Sequence, residues 1–574
     1  MIDTKEMKQE KTMNKKWEIC QEKEEEILKL ASKSNLSPLL ASILINRNIN
    51  TIEKVEKFVN PTRSDFHNPF LMPDMDKAVS RILNAIETNE KVMIYGDYDV
   101  DGITSITVLK KFLLDRGLEA GEYTPNRLEE GYGLNKEAVK SIYEQGYTLM
   151  ITVDCGISGN EEIAYAKELG MEVIVTDHHE QGEEIPNCLA VIDAKRKDNQ
   201  YPFNQLAGVG VVFKLIQAIS MRLELDAKEY LKYLDIVCVG TISDIVPLVD
   251  ENRVIAKLGL KLVNMTKNIG LKTLLNSIGY KKIDSNTISF GVAPRINACG
   301  RMGAQEEALK LLLTENQEEA NKITEILNKY NQERQATEKT IFEEAVNQIE
   351  QTEKENACLV VGNEKWHHGV IGIVASKVTE LYFKPSILIC FEGEEGKGSG
   401  RSIPGFDLHE ALMKCSTYIE RFGGHSMAIG ITIKKDNFES FKKEFQEYAK
   451  NQGISDIIPI IKIDEEAQLK NINLETVKEL SLLEPYGEAN KVPLFLIKNL
   501  KIQSIRTLSE GKHLKVRLGQ DSYMIDAIGF GVGEWAEKYL IGDKVDVVGS
   551  LEVNSFNGNE QVQLVIKDMR KSTN

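Results

Sequence analysis

The sequence predicts an α/β protein: a parallel-sheet domain, a long connecting helix, a smaller α/β domain and a terminal β-barrel. Three observations carry this reading. Short apolar runs ending in polar loops alternate with helical segments between Lys91 and Asp244. One helical pattern persists from Thr314 to Ile349. Beyond Ile458, short strands separated by turn signals such as Asn557-Gly558 replace helices.

Taken in chain order, residues 1–75 read as an N-terminal helical cap. Ile27, Leu28, Leu30 and Ala31, then Leu39, Leu40, Ile43 and Leu44, recur at helical spacing. Residues 76–265 form the first α/β domain, with strands at 92–95, 149–153 and 173–176 and helices at 104–114 and 161–169. Strand–loop–helix repetition means a parallel sheet with crossover helices, and such sheets bind ligands at the carboxyl ends of their strands. Residues 266–352 hold a helical segment and the connecting helix, whose outer face is heavily charged. Residues 353–455 form the second α/β domain, with strands at 358–361 and 386–390 around a helix at 369–381. Residues 456–574 supply strands at 494–497, 514–517, 545–548 and 561–566, which suits a small barrel.

At 574 residues the chain exceeds one core and suggests about three or four domains. No apolar run approaches the ~18 residues needed to span a bilayer. The first sixteen residues are polar and charged, unlike a secretory signal. Eight cysteines lie singly, without a CxxC pair, which disfavours a disulfide framework or a zinc cage. The expectation is a cytoplasmic protein away from membranes. A net charge of −16 argues only weakly against a nucleic-acid partner, because active-site aspartates contribute to it and bound cations would offset them.

The chemistry concentrates at the strand ends. Asp97, Asp99 and Asp101 alternate in Gly96-Asp97-Tyr98-Asp99-Val100-Asp101-Gly102. An EF-hand is excluded, since its twelfth loop position would be Val108 rather than Glu. A simple turn does not need three carboxylates, which repel one another unless a cation lies between them. Asp154, Asp177, His178, His179 and Asp244 follow at equivalent strand ends. Carboxylates suit Mg²⁺, and an added histidine shifts the preference towards Mn²⁺. The set fits two ions roughly 3.5–4 Å apart, bridged by a carboxylate and a water, and so predicts metal-assisted phosphoester hydrolysis.

Asp177-His178-His179, the loop at 96–102, Val153-Asp154-Cys155-Gly156 and the segment 240–248 resemble the four motifs of DHH phosphoesterases. The similarity extends to the RecJ type of single-stranded-DNA-specific exonuclease. It is carried by Leu71-Met72-Pro73-Asp74-Met75, by 294–303 (PRINACGRMG) and by 366–376 (WHHGVIGIVAS). Gly398-Ser399-Gly400-Arg401-Ser402 and Gly423-Gly424-His425 complete it. The resemblance implies a DHH domain, a DHHA1-like substrate-binding domain and an OB-fold barrel that binds single strands. It implies that Asp99 and Asp101 each hold one ion, that Asp154 bridges them, and that His178 and Asp244 complete the second site. Asp97 and Asp177 would orient these ligands, and His179 would sit close to the scissile phosphate. Tyr95 stands where many relatives carry a histidine, which predicts a weaker first ion site.

The same resemblance implies that Arg127, Ser399 and Arg401 grip a 5′ phosphate, that Arg295 or Arg301 contacts the next phosphates, and that His425 touches substrate. Arginine forks and glycine loops suit such contacts on chemical grounds as well. Two α/β domains joined by a helix should form a cleft that admits one strand and excludes a duplex. In the barrel, Lys498, Lys501, Arg506, Lys512, Lys515 and Arg517 cluster in sequence near Tyr523, Phe530 and Phe556. The barrel aromatics also read as core residues.

The activity implied is 5′→3′ exonuclease hydrolysis of single-stranded DNA to 5′-mononucleotides with two Mn²⁺ or Mg²⁺ ions, in repair and recombination. The implied setting is a monomer working with a single-strand-binding protein and a helicase. A DHH phosphodiesterase of short RNA or cyclic dinucleotides is disfavoured, because those enzymes generally lack the barrel and the 294–303 segment. A silent replication scaffold is disfavoured because no motif aspartate is lost.

Overall fold

A computed structural model of the chain describes residues 15–20, 23–126, 130–131, 133–454, 457–556 and 558–572. Two compact units make up the protein. One comprises His67–Val246 and Leu258–Ile457, and the other Met1–Phe66, Pro247–Lys257 and Ile458–Asn574.

The first unit is built on a five-stranded parallel sheet of β1 (Val92–Gly96), β2 (Gly121–Tyr123), β3 (Leu149–Val153), β4 (Glu172–Asp177) and β5 (Ala190–Asp193). β1 and β3 are buried along their whole length, as expected for unbroken apolar runs with helices on both faces. The spatial order is β2-β1-β3-β4-β5. The chain therefore leaves β1 towards β2 and returns to its other side for β3. The carboxyl ends of β1 and β3 flank the point where the winding reverses, where an open α/β sheet leaves a crevice for ligand. The loop after β1 and Asp154 after β3 both open there.

Helices α1 (Val100–Leu114) and α2 (Gly208–Arg222) pack on this sheet and on each other, and α3 (Leu234–Ser243) packs on both of them. All three are buried over most of their length. Helix α4 (Ala293–Arg301) leads to α5 (Gln317–Gln348), which has 32 residues and starts on an Asn316 side-chain cap. At 1.5 Å per residue α5 is about 48 Å long, and it packs on both α4 and α6 (His368–Tyr382). The charged pattern of α5 is not confined to solvent. Asn331, Arg334 and Glu338 are buried, with Arg334 donating to Asn331 Oδ1 at 2.6 Å. Glu338 pairs with both Arg334 and Lys377 of α6. A second, mixed sheet follows, from β6 (Leu359–Asn363), β7 (Ser386–Glu392), β8 (Glu395–Arg401), β9 (Arg421–His425) and β10 (Ala428–Lys434), in the order β9-β10-β8-β7-β6.

The other unit contains a closed five-stranded barrel of β11 (Phe495–Leu508), β12 (His513–Gln520), β13 (Tyr523–Gly529), β14 (Lys544–Phe556) and β15 (Asn559–Lys571), with β14 pairing back onto β11. The amino-terminal helices Glu24–Ser34, Pro38–Asn46 and Ile52–Val59 have no core of their own. Leu40, Leu44, Val55 and Phe58 join Phe495, Ile497, Leu514 and Val547 of the barrel in one cluster. Buried Arg253 helps fasten this unit. Its Nε donates to Phe58 O at 2.7 Å, and its Nη2 to Leu483 O and Glu484 O at 3.2 and 3.1 Å. Its guanidinium also lies 3.4 Å from the Phe58 ring centroid. Among the described residues no helix is long and apolar enough to cross a membrane.

Candidate metal centre

The turn after β1 is shaped by its own carboxylates. Asp97 Oδ1 accepts from Tyr98 N at 2.8 Å. Asp99 caps α1, accepting from Asp101 N and Gly102 N at 2.9 and 3.1 Å. Asp101 lies in the first turn of α1 and is buried. Its oxygens accept from Gly208 N (2.6 Å) and Val209 N (2.8 Å), so the carboxylate is clamped on the amino end of α2, where the helix dipole favours negative charge.

Asp154 follows β3 in the left-handed region, at φ +58°. That conformation is costly for a residue with a Cβ and persists where the surroundings enforce it. Its buried Oδ1 accepts no hydrogen bond and lies 3.1 Å from His178 Nε2. His178 Nε2 is also 3.8 Å from Asp101 Oδ2, and its Nδ1 is 3.7 Å from Asp244 Oδ2 at the end of α3. The ligand-type atoms group into three sets, each within 4.8 Å: Asp101, His178 and Asp244; Asp97, Asp99 and Asp154; and Asp154, His178 and His179. Asp97 thus stands in the same set as Asp99 and Asp154.

Electrostatically these groups need a cation. Burial and the neighbouring Asp99 push Asp101 up to about 7, and burial with Asp101 and Asp99 pushes Asp244 up to about 9. Burial, then Asp101 and Asp99, holds Asp154 well above the carboxylate range. Burial, then His179, drives His178 down to about 3, so the ring stays neutral and able to ligate. Crowded carboxylates beside a neutral imidazole, with a buried oxygen left without a donor, fit a hard divalent cation.

Asp177 has a different task. It accepts from Ile157 N at 2.9 Å, His178 N at 2.7 Å and His179 N at 3.2 Å, and it holds His179 Nδ1 at 2.7 Å. Burial opposes charge on both partners, yet their hydrogen bond lowers the Asp177 pKa and raises that of His179. Tyr95 is also placed elsewhere. Its hydroxyl donates to Gly133 O at 3.0 Å and its ring stacks on Tyr123 with centroids 5.1 Å apart, within the core beneath the sheet.

Three glycines, two of them within the quoted motifs but given no role there, make the site possible. A Cβ on Gly102 would lie 2.4 Å from Asp97 O, one on Gly208 2.6 Å from Asp154 Oδ1, and one on Gly240 2.2 Å from Thr104 Oγ1. Asp193, at the end of β5 beside Asp177, is passed over as well. It is buried, accepts from Lys195 N at 2.7 Å, and burial pushes it up to about 7. The sequence signal for Asp193 is its position, one more aspartate at a strand end.

Of the substrate-contact residues expected, Arg127 lies outside the described residues. Ser399 and Arg401 come together on β8, with Arg401 Nη1 donating to Ser399 Oγ (3.0 Å) and Gly400 O (2.8 Å). Both abut the first turns of α6, where a Cβ on Gly372 would lie 3.1 Å from Ser399 Oγ and 3.3 Å from Arg401 Nη2. His425 shares the rung of Arg401, since Ala428 pairs with both Arg401 and His425. Arg301 Nη1 donates to Gly369 O at 3.0 Å. Arg295 is turned inward, with Nε on Asn328 Oδ1 and Nη1 on Gly291 O, both at 2.7 Å. In the barrel, Tyr523 and Phe530 are exposed, and two of the basic residues face acids: Lys498 with Glu466 at 2.6 Å and Arg517 with Asp526 at 3.8 Å.

Three family models match in order along the chain: DHH family, N-terminal domain, over 91–241; DHHA1 domain over 355–451; and RecJ OB domain over 463–568. The single-stranded-DNA-specific exonuclease RecJ of Bacillus subtilis is 38% identical over 559 residues, covering 96% of this chain and 70% of that protein. The RecJ of Escherichia coli is 30% identical over 566 residues, covering 93% and 96%. The crystal structure of RecJ in complex with Mn²⁺ from Thermus thermophilus superposes with a TM-score of 0.85 at 29% identity, covering 97% of this chain and 80% of that one. A crystal structure of exonuclease RecJ bound to manganese gives 0.60 at 34% identity, covering 67% of this chain and 97% of that one. With the same three domain types in the same order, and with this identity over nearly its whole length, the chain belongs to the RecJ family of single-stranded-DNA-specific exonucleases.

Proposed function

We propose that the chain degrades single-stranded DNA from the 5′ end, releasing 5′-mononucleotides by metal-assisted attack of water. The observation that carries this is the convergence of Asp97, Asp99, Asp101, Asp154, His178 and Asp244 at the reversal point of the parallel sheet. The residues would hold two divalent ions, Mn²⁺ or Mg²⁺. Asp101, His178 and Asp244 would hold one, Asp97 and Asp99 would hold the other, and Asp154 is within reach of both sets. When bound, the ions lower the pKa of a water and offset the charge that builds on the phosphoryl oxygens.

The remaining roles belong to the chain. The amino end of α2 holds Asp101 in place, and Asp177 fixes the His179 ring through Nδ1 so that Nε2 is presented to the phosphate. Ser399 and Arg401, at the amino end of α6, bind the 5′ phosphate together with Arg127. Arg301 takes a following phosphate, and His425 approaches from the same sheet. Arg295, spent on Asn328 and Gly291, acts as a positioning residue. The setting proposed is repair and recombination in the cytoplasm, as a monomer beside a helicase and a single-strand-binding protein.

The test is digestion of single strands labelled at the 5′ or the 3′ end, with Mn²⁺ present. Early release of the 5′ label as mononucleotide is expected. Early release of only the 3′ label refutes the polarity, and equal cutting of duplex refutes the strand selectivity.

A further inference from the structure

The helical element that runs into PRINACGRMG shows one accessible stripe. Phe290, Pro294, Asn297 and Arg301 fall at i, i+4, i+7 and i+11 and are exposed or half-buried, whereas Val292, Ala293, Ile296, Ala298, Cys299 and Gly300 are buried. Two of the four stripe residues already face the site. Asn297 Oδ1 accepts from Val100 N of the metal loop at 3.2 Å, and Arg301 reaches Gly369 O at the start of α6. The far end of the stripe is Phe290, which is 78% exposed.

A phenyl ring left that open is costly to keep in water, and the local backbone is built to present it. Residues Thr287–Val292 form a π-helical turn, a feature that recurs at functional sites because it re-aims a side chain. Arg295 holds this turn by donating to Gly291 O. Tyr280, 59% exposed, stands just beyond the helix Ile269–Ile278, whose Ile278 packs on Gly291. Seven residues separate Phe290 from Asn297, or about 10 Å of helix. That is about three nucleotides at the ~3.4 Å spacing of stacked bases, and fewer if the strand is extended.

We infer that Phe290 is a base-stacking residue for the single strand, gripping a base within about three nucleotides of the scissile phosphate. The occupant is a nucleobase because the stripe that begins at Phe290 runs on to Asn297, which holds the metal loop, and to Arg301 beside the start of α6. A π-face stacks on any base, so the contact holds the strand without reading its sequence. A duplex, whose bases are already stacked, cannot offer one. The stripe therefore adds a chemical reason for strand selectivity to the reason from shape. This inference rests on the exonuclease reading above.

The test uses 5′-phosphorylated oligonucleotides, fully based or with one abasic site moved along the first five positions, and the full-length chain as wild type, Phe290→Ala, Phe290→Leu and Phe290→Trp. Stacking of one base is worth about 1–3 kcal/mol, so Phe290→Ala should raise KM roughly 5- to 150-fold while kcat at saturation stays close to wild type. Phe290→Trp should restore KM and Phe290→Leu should not. In wild type an abasic site at one position should reproduce the defect, and at that position Phe290→Ala should add little further. An unchanged KM in Phe290→Ala, rescue by Leu, or a penalty independent of the abasic site overturns the inference; rescue by Leu would point to a protein partner on this face instead. If wild type digests single strands normally while Phe290→Ala matches it, only this inference fails. If wild type leaves single strands intact, the exonuclease reading fails and takes this one with it.

Discussion

Gly208→Ala is the sharpest test of how the metal centre is assembled. Gly208 opens α2, donates its N–H to Asp101 at 2.6 Å, and packs directly against Asp154. An alanine Cβ there would lie 2.6 Å from Asp154 Oδ1, 2.7 Å from its Cβ and 2.8 Å from its Cγ. Ordinary carbon contacts are about 3.5–4.0 Å, so roughly an ångström of separation is missing. Asp154 cannot retreat easily, since its backbone is already held at φ +58°. Its carboxylate must therefore swing, and a displacement near 1 Å at a reacting centre costs about 100-fold in rate. Helix propensity runs the other way, favouring Ala over Gly by about 1 kcal/mol, so the variant should stay folded. The expectation is a kcat about 100-fold lower and weaker Mn²⁺ binding by titration calorimetry, with a melting temperature close to wild type. Gly210→Ala, two residues along the same helix, is the matched control. The atoms nearest its Cβ would be those of the Leu206 side chain, at 3.3 Å or more, and activity should be nearly unchanged. Gly208→Ala with kcat and Mn²⁺ affinity within about threefold of wild type would falsify the reasoning.

Two further expectations follow from the same geometry. Arg401→Ala should raise KM for 5′-phosphorylated strands about tenfold or more and erase the preference over 5′-hydroxyl strands, as expected for a lost charge-assisted contact; an unchanged preference removes Arg401 from the phosphate pocket. Arg253→Ala should destabilise the unit containing the barrel by about 3 kcal/mol, because the carbonyls of Phe58, Leu483 and Glu484 lose a buried donor. A melting temperature equal to wild type excludes that role for Arg253.

The parts legible in the sequence are those whose cause is local. Short apolar runs such as 149–153 form strands buried on both faces, and an aspartate just beyond such a run is visible by position alone. Asp154 and His178 are read in this way. Asp244, expected at a strand end, instead ends helix α3, because the apolar run before it is a buried helix, and it still comes within reach of His178 and Asp101. The role of Asp97, read as supporting, is less legible in the sequence, because which alternate residue of a turn points inward depends on the helix cap. Asp99 commits one oxygen to the amides of Asp101 and Gly102, and that cap sets the direction of its neighbours. Tyr95 shows the same limit. Whether a strand residue faces the crevice or the core follows from which side of the sheet it occupies, and Tyr95 shares its side with Tyr123 and Val139.

What is not legible depends on approaches across long stretches of chain. Gly208 reads as the start of an apolar helix, and nothing near it in sequence announces that Asp154 must come within contact distance. Arg334 and Glu338 look like two of many charges on a solvated helix until α6 covers them and Lys377 joins the pair. Arg295 has the residue type of a phosphate ligand, yet its Nε and Nη1 are given to Asn328 and Gly291. In each case the residue type is chemically suited to two tasks, and packing partners far away in sequence decide between them. This has a mechanistic consequence for the metal centre. Its carboxylates come from residues 97–101, 154 and 244 and its clamp from 208 and 209, so no single segment holds enough of the site to bind a cation well. Ion binding should therefore report on the assembled sheet with α2 and α3 in place, and a substitution such as Gly208→Ala can disable the chemistry without removing a single ligand.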